Sequence, residues 1–523
     1  MTSLMTGPAE PIAPADRLPA RIAALVGVLG VFAAVAAGHL VGGLVGGDAS
    51  PFRAVANQVR DRSPDAVVEW AKQTLGTSDK FVAQLGVAVV LVLLGVLAGL
   101  LSRKVAWPGL TLAVVLGITG IVAVLQQRDV GQLGVLAPVA GLVAGASVFG
   151  WLHRLALARV ENDTPAAGVS RRTFLKASGG TAAGAGIAVA AGQWLADSVD
   201  VEGSRASVGK LVAQVKAPPL PAGADFAADG TPTFLTANAD FYRIDTAFVL
   251  PRITAQDWKL RIHGMVDKEL TLSYADLRRF RLVERDVTLT CVSNEVGGDL
   301  ISTARFVGVP IHEVLDLVGV RQGAQQLLST SKDGWTCSTP VDVLQDPERM
   351  ALLAIGMNGE PLPLEHGFPV RQVVPGLYGY VSATKWVVDW EFTTFSGHSA
   401  YWTDRGWSEQ GPIKTESRID TPKDGASVGA GKVTVAGIAW AQNTGIDKVE
   451  VRVDKGPWQQ AELSTEVTDQ AWRMWRVKFD VPPGTHTAAV RATDRDGYTQ
   501  TEHHADPVPD GATGWHSVEF DAK

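Results

Sequence analysis

Thr288-Leu-Thr-Cys-Val-Ser-Asn294 decides how this chain is read. The residues leading into it, Glu284-Arg-Asp-Val-Thr-Leu-Thr290, are rich in β-branched types and predict a strand. The residues after it, Glu295-Val-Gly-Gly-Asp-Leu300, carry turn chemistry. Cys291 therefore stands at a strand-to-loop transition, where a sulfur can be presented to a cavity. It is one of two cysteines in 523 residues, too few for a disulfide scaffold. At most it pairs with Cys337, and a metal role for Cys291 forbids that pairing. A thiolate is a soft donor suited to soft, redox-active metals. A lone cysteine in a β protein is more commonly a small core residue, so the surrounding motifs have to decide.

Those motifs come in order. Phe241-Tyr-Arg-Ile-Asp245 lies upstream, and Ile301-Ser-Thr-Ala-Arg-Phe-Val-Gly-Val-Pro310 follows the cysteine. His366-Gly-Phe-Pro-Val-Arg371, Val374-Pro-Gly-Leu-Tyr-Gly379 and Lys385-Trp386 come next. In this order and spacing, over roughly residues 230–523, the chain resembles the sulfite oxidase family of molybdopterin enzymes. The resemblance implies one Mo-molybdopterin, a dithiolene pterin whose molybdenum takes cysteine as its protein ligand. Cys291 occupies that position in the matching T-x-x-C-x-x-N segment. By the same resemblance the pterin's phosphate and ring edges are met by Phe241, Tyr242, Arg243, Ile244 and Asp245, by Asp333, and by His366 and Arg371. Ser382, Ala383, Thr384 and Lys385 supply the final contacts. Arg371 suits a phosphate because a guanidinium offers forked donors. Arg305 is either a catalytic-site residue or a tie that holds the loop near the metal to the domain. Cys337 has no matched role and reads as a core thiol.

Two departures bear on the substrate. Animal and plant sulfite oxidases place arginine soon after the ligand cysteine, where it helps bind an anion; here Asn294-Glu-Val296 has none. They also carry an active-site tyrosine, whereas Tyr401-Trp-Thr-Asp-Arg-Gly-Trp407 puts Trp407 in the corresponding stretch, with Tyr401 nearby. Trp407 and Tyr401 thus join Cys291 as catalytic-pocket candidates. The pocket reads as more aromatic and less cationic, which suits a neutral or larger sulfur- or nitrogen-containing compound.

The first 200 residues have a different texture. Ile22–Val45, Phe81–Leu101, Val105–Leu125 and Leu133–Leu152 are apolar runs of the length a bilayer crossing needs, about 20 residues. Gly179–Ala196 is either a fifth span or the core of a signal sequence. Basic residues at Arg17 and Arg21, at Arg103 and Lys104, and at Arg154, Arg159, Arg171, Arg172 and Lys176 fall on one side if the N-terminus is cytoplasmic. The loop 47–80, with Arg53, Arg60, Arg62 and Lys72, satisfies the rule imperfectly. Ser170-Arg-Arg-Thr-Phe-Leu-Lys176 matches a twin-arginine export signal inside the chain, and its alternative is a basic flank before an ordinary helix. Ala188-Val-Ala190 is a candidate cleavage site. A bis-histidine haem needs facing histidine pairs within the spans, and only His39 and His153 fall near them. The membrane section therefore reads as an anchor.

The expected organisation is a cytoplasmic tail at 1–19, a membrane domain of four or five helices at 20–196 with the signal-like segment at 170–196, and a linker at 197–229. An α+β sulfite-oxidase-type molybdopterin domain at 230–410 follows. Here Trp258-Lys-Leu-Arg-Ile-His263 predicts a strand, and Leu272–Phe280 a short helix opened by Ser273. From 411 to 523 the alternation in 432–440, 447–453, 472–479 and 485–493 predicts an immunoglobulin-like β-sandwich. It acts either in dimerisation, as in the family, or as a stabilising lid. Gly429-Ala-Gly-Lys-Val433 is rejected as a phosphate loop, because it has Val433 where Ser or Thr must hold magnesium.

The function these readings imply is oxygen-atom transfer at a Cys-ligated molybdenum that cycles between Mo(VI) and Mo(IV), on a small-molecule sulfur compound. The enzyme sits in the cell membrane as a multi-pass protein, with its catalytic domain extracytoplasmic. The chain carries no haem or iron–sulfur motif, so electrons pass to an external carrier, a cytochrome or a quinone-linked protein. A homodimer is compatible with the sandwich. A net charge of −7 argues against nucleic acid as a partner. Two rivals stay open: a reductase of sulfoxides or N-oxides using the same cofactor, and a cofactor-free cell-surface binding protein.

Overall fold

Uninterrupted apolar runs satisfy their backbone polar groups internally by forming helices. The computed structural model, which describes residues 17–45, 49–64, 67, 70, 74, 78–127, 132–161 and 171–523, shows this for the first part of the chain. Contacts divide the chain into two units, Met1–Val199 and Asp200–Lys523. Residues 1–16 of the expected tail, Lys72, and Ser170 of the twin-arginine motif lie outside the described residues.

The first unit is helical. It contains α1 (Ala20–Val45), α2 (Pro51–Arg62), α3 (Asp79–Leu101), α4 (Trp107–Leu125), α5 (Leu136–Glu161) and α6 (Arg171–Asp197). Among the described residues, four helical stretches are long and apolar enough to cross a membrane: Ala20–Val45, Lys80–Leu101, Trp107–Leu125 and Leu133–Ala158. α1 packs against α3, α5 and α6. A Cβ added at Gly27 would lie 1.9 Å from the Gly95 carbonyl oxygen, and one at Gly99 would lie 1.9 Å from that of Ala23. Small residues spaced four apart are thus what let α1 and α3 approach. The outward faces carry large apolar side chains, with Phe81 68 % and Trp107 75 % exposed. α6 runs unbroken through Ala188–Ala190 and packs along α1.

The second unit begins with a departure from expectation. Within the stretch read as linker, Val201–Val212 forms helix α7, capped by Asp200, whose Oδ1 accepts from Gly203 N at 2.8 Å. Arg205 of α7 donates to the carbonyls of Leu362 (3.0 Å) and Pro361 (3.2 Å), so tertiary contacts hold a helix too short to persist alone. Further on, Phe226 and Phe234 pack with Ile438, Trp440, Trp472 and Met474. These residues are structural parts of the unit, not a free tether.

The central part holds β1 (Lys259–Gly264), β2 (Leu270–Ser273), β3 (Val283–Thr290), β4 (Ile301–Pro310), β5 (Gln326–Ser331), β6 (Thr336–Pro340), β7 (Leu352–Met357), β8 (Glu360–Pro361), β9 (Arg371–Val373) and β10 (Val387–Thr393), with helices α8 (Ile311–Val318) and α9 (Val341–Gln345). One sheet has the order β2-β1-β10-β5-β6 and the other β3-β4-β7-β8, with β9 beside β7. The turn expected as a helix at 272–280 is a single 3₁₀ turn, Asp276–Arg279, with Ser273 N and Oγ both donating to Asp276 Oδ2. Trp258, Phe306, Phe368, Trp386, Trp390 and Phe392 are fully buried and form the core that fixes both sheets.

Two further sheets make a β-sandwich. Their orders are β11-β13-β17-β16 and β12-β19-β18-β14-β15. The strands are β11 (Glu416–Thr421), β12 (Ala426–Val428), β13 (Gly431–Trp440), β14 (Ile446–Val453), β15 (Gln459–Gln460), β16 (Glu462–Leu463), β17 (Arg473–Val481), β18 (Gly484–Asp494) and β19 (Ser517–Ala522). Alternate residues of β13, β14, β17 and β18 meet around Trp475. Gly431, in the rejected phosphate-loop segment, opens β13 with a positive φ of 99°.

Glu416 at the start of β11 is buried, and its Oε1 has no hydrogen-bond partner among the described residues. Burial pushes its carboxyl from the ordinary 4.5 up to about 8, with Lys414 pulling the other way. The folded state therefore holds this proton more tightly than the unfolded chain does. Its stabilising contribution is complete below pH 4.5 and is lost as pH rises to about 8. Stability should fall across that window by up to about 1.4 kcal/mol per pH unit from this group. Melting temperatures at pH 5 and pH 8 should differ by several degrees in the wild type and by much less in Glu416→Gln. Equal pH dependence in the two proteins would refute this assignment.

Candidate cofactor site

Cys291 is the first residue beyond β3, half-buried where that strand ends in the β3–β4 connection. Its N–H donates to Leu300 O at 2.9 Å, and its carbonyl accepts from Asn294 N at 3.0 Å. Asn294 Oδ1 in turn accepts from Leu300 N at 2.8 Å, drawing the loop into a closed turn. Tyr242 and Tyr378 both lie within electrostatic reach of the Cys291 sulfur, and burial followed by that interaction holds the Tyr242 phenol above its ordinary range. Gly379 sits against the Thr290 carbonyl and the Tyr242 hydroxyl, each 3.8 Å from where its Cβ would be. The turn carrying Tyr378 and Gly379 therefore faces the cysteine end of β3.

A line of polar side chains extends from there. Arg371, the first residue of β9, is fully buried against Phe306, its Cζ 5.6 Å from the ring centre. Its Nη1 donates to His366 O at 3.3 Å, while its Nε is buried with no partner among the described residues. Burial lowers its pKa to about 10. His366 packs edge-on to Phe241 with ring centres 5.4 Å apart, and its Nε2 is 3.0 Å from Asn238 O. Burial, then Arg371, then Lys385 lower its pKa to about 4, so the imidazole is neutral. Lys385 Nζ bonds Asp245 Oδ2 at 3.1 Å and Glu365 O at 3.0 Å; burial outweighs Asp245 and lowers its pKa to about 8. Asp245 also takes Arg243 Nε at 2.8 Å.

The arrangement fits an anionic, acceptor-rich group. A buried guanidinium with no carboxylate partner among the described residues is costly unless a ligand anion completes it. Asn294 Nδ2 is likewise buried without a partner. Among the described residues no three His, Cys, Asp or Glu side chains converge on a metal-sized site. A dithiolene would supply a metal at Cys291 with further ligands from outside the protein.

The remaining expected residues are spread over several elements. Ile244 is 49 % exposed at the surface, beside Arg243. Ser382 Oγ is spent on the carbonyls of Leu377 (3.0 Å) and Tyr378 (2.9 Å), and Thr384 Oγ1 on Ser329 Oγ, so with Ala383 these residues shape the turn. Asp333 heads the β5–β6 hairpin, its Oδ1 accepting from Trp335 N at 3.3 Å. Tyr401 and Trp407 belong to an aromatic group with Trp402 and Tyr380. Ring centres are 5.1 Å apart for Tyr401–Trp402, 6.3 Å for Trp402–Trp407 and 5.9 Å for Tyr380–Trp407, and Arg405 stacks on Tyr401 at 3.7 Å. Arg305 is drawn away from the cysteine: its guanidinium makes a bidentate pair with Asp286 (2.7 and 2.8 Å) across β3 and β4. That rung lies five residues up β3 from Cys291, about 16 Å along a strand. Of its two readings, the tie has the geometry behind it. Cys337 is fully buried, and burial pushes its thiol up to about 11, as a core thiol should behave.

Three residues of the site carry no assignment in the sequence reading. Tyr378 and Asn294 lie inside motifs quoted above, Val374–Gly379 and Thr288–Asn294. Asn238, three residues before Phe241, fixes His366 through its carbonyl and takes Asn358 Nδ2 on its side-chain oxygen at 2.8 Å.

Comparisons with known proteins agree on the kind of site. The profile described as "Oxidoreductase molybdopterin binding domain" matches residues 247–402, and "Mo-co oxidoreductase dimerisation domain" matches residues 410–522. The chain is 33 % identical over 298 residues to mouse mitochondrial sulfite oxidase, covering 48 % of this chain and 54 % of that protein. It is 31 % identical over 330 residues to the human enzyme, covering 53 % and 59 %. It is 33 % identical over 154 residues to the Bacillus subtilis uncharacterized oxidoreductase YuiH, covering 29 % of this chain and 74 % of YuiH. The chain thus spans about half the length of the sulfite oxidases it matches.

Proposed function

This chain belongs to the sulfite oxidase family of molybdopterin oxidoreductases, and from that membership we propose that it is a membrane-anchored, extracytoplasmic molybdenum enzyme acting on a sulfur compound. The observation that carries the reading is Arg371, a buried cation whose Nε has no partner among the described residues. Bound there, the molybdenum–pterin group supplies two-electron oxygen-atom transfer. Cys291 is the metal's protein ligand. Arg371 and Lys385 hold the cofactor's negative charge, and Asp245 orients Lys385. His366, kept neutral, spends its Nε2–H on Asn238 O and leaves Nδ1 as an acceptor, without adding a third positive charge. Tyr242, its phenol held above the ordinary range by burial, keeps its proton and places its hydroxyl, like the Thr290 carbonyl, near Gly379.

The four apolar helices support the anchor. Four crossings from a cytoplasmic N-terminus return the chain to the cytoplasmic side, so the outward-facing catalytic part rests on α6, which opens with the basic residues Arg171, Arg172 and Lys176, serving as a fifth crossing. The twin-arginine-like segment supports the same sidedness. Electrons leave to a separate cytochrome or quinone-linked protein, and the second matching profile supports a homodimer.

For the substrate, the names of the mammalian relatives favour sulfite oxidation. The absence of arginine in Asn294-Glu-Val296 favours a neutral compound and keeps sulfoxide reduction as the second reading. The purified full chain should be assayed in both directions, sulfite with an artificial electron acceptor and dimethyl sulfoxide with a reduced dye. We expect sulfite turnover to be the faster of the two. Turnover only with the sulfoxide would reverse the direction, and activity with neither would sink the sulfur assignment.

A further inference from the structure

The segment bearing Cys291 is held from outside its own sheet. β3 is an edge strand, and its open edge is closed by the sandwich side of the unit: Thr288 N donates to Gln470 O at 3.0 Å, and Trp472 N donates to Thr288 Oγ1 at 2.7 Å. Gln442 Nε2 reaches Thr288 O at 3.3 Å. Thr288 precedes the cysteine by three residues.

Beyond the cysteine a second grip occurs. Gly297 has a φ of 78°, and a Cβ there would lie 2.2 Å from His516 Cδ2, so the imidazole rests directly on the loop backbone. His516 is itself fixed, its Nδ1 accepting from Ile419 N at 2.9 Å. The neighbouring Gly298 carbonyl accepts from Arg418 Nη1 at 2.7 Å. Arg418 is buried, and its Nε (2.9 Å) and Nη2 (2.7 Å) are braced by Asp420.

We infer that the C-terminal sandwich sets the position of Cys291, with Arg418 and His516 as positioning residues that clamp the 291–300 loop from behind. Bonds within the loop run from Cys291 N to Leu300 O, from Leu300 N to Asn294 Oδ1, from Asn294 N to Cys291 O, and from Gly298 N to Glu295 O at 2.8 Å. They set the loop's shape, and the outer grip sets its position and that of the thiol. This gives the sandwich a share in the site beyond covering or pairing. The catalytic consequence rests on Cys291 being the metal ligand; the clamp itself does not.

The test uses the full chain, wild type beside Arg418→Lys and His516→Asn. Lysine keeps a charge for Asp420 but cannot bridge it to Gly298 as well. Asparagine keeps an acceptor for Ile419 N–H but removes the ring over Gly297. Amide hydrogen exchange across 291–300 should quicken by about tenfold or more in both, with β13, β14 and β17 as protected as in the wild type. In metal-loaded protein the absorption of the thiolate-ligated centre should also shift at unchanged molybdenum content. Exchange across 291–300 equal to wild type in both variants would overturn the clamp. Should Arg418→Lys lose protection throughout the sandwich, His516→Asn alone decides. Metal-free wild type would overturn the cofactor reading instead, and the exchange result would still stand for the clamp.

Discussion

Cys291→Ser should abolish turnover while leaving the protein folded. The residue is half-buried at the end of a strand paired along its length with β4, and serine differs from it by one atom, so the backbone bonds to Leu300 and Asn294 persist. What changes is the donor. A serine hydroxyl is a harder, less covalent ligand with a far higher pKa than a thiol, and it does not reproduce the thiolate's bond to the metal. Losing outer contacts alone costs metal sites about 10- to 100-fold, so loss of the ligand itself should exceed about 100-fold in kcat. The electronic spectrum should change in step. Wild-type activity in Cys291→Ser would remove the cysteine from the chemistry.

Arg371→Met should have two effects of opposite sign. In cofactor-free protein, exchanging a buried guanidinium that lacks a counter-charge for an apolar side chain of similar length relieves a desolvation cost. Melting temperature should rise, by the equivalent of about 1–3 kcal/mol. In loaded protein the same change removes charge-assisted hydrogen bonds to the cofactor's anion, each worth about 1.5–3 kcal/mol, and cofactor retention should fall at least about tenfold. Differential scanning of protein from hosts with and without cofactor synthesis, beside pterin analysis, measures both. A purely structural arginine would lower stability in both states and leave retention unchanged.

How far the site could be read in advance follows from distance along the chain. The strand before Cys291 was legible because Val287, Thr288 and Thr290 are β-branched, and the strand does end at Thr290. Arg371 was legible only through a motif; nothing local in His366-Gly-Phe-Pro-Val-Arg371 announces a buried cation. α7 was not legible, since Gly203 and Ser204 depress its propensity and its stability comes from Arg205 on Pro361 and Leu362, far off in sequence. Arg418 and His516 were beyond reach for the same reason: 120 residues separate Arg418 from Gly298. The sandwich strands were legible from their period of two, but which of their residues touch the cysteine loop depends on a packing that no local pattern encodes.

The central claim is that Cys291 and the Arg371 cradle hold a molybdenum–pterin group. Molybdenum and pterin content of the purified full-length wild type, made in a host that supplies the cofactor, tests it most directly. The account predicts close to one molybdenum and one pterin per chain. Metal-free, pterin-free protein from that host would contradict it, and would leave the fold as a binding module in place of an enzyme.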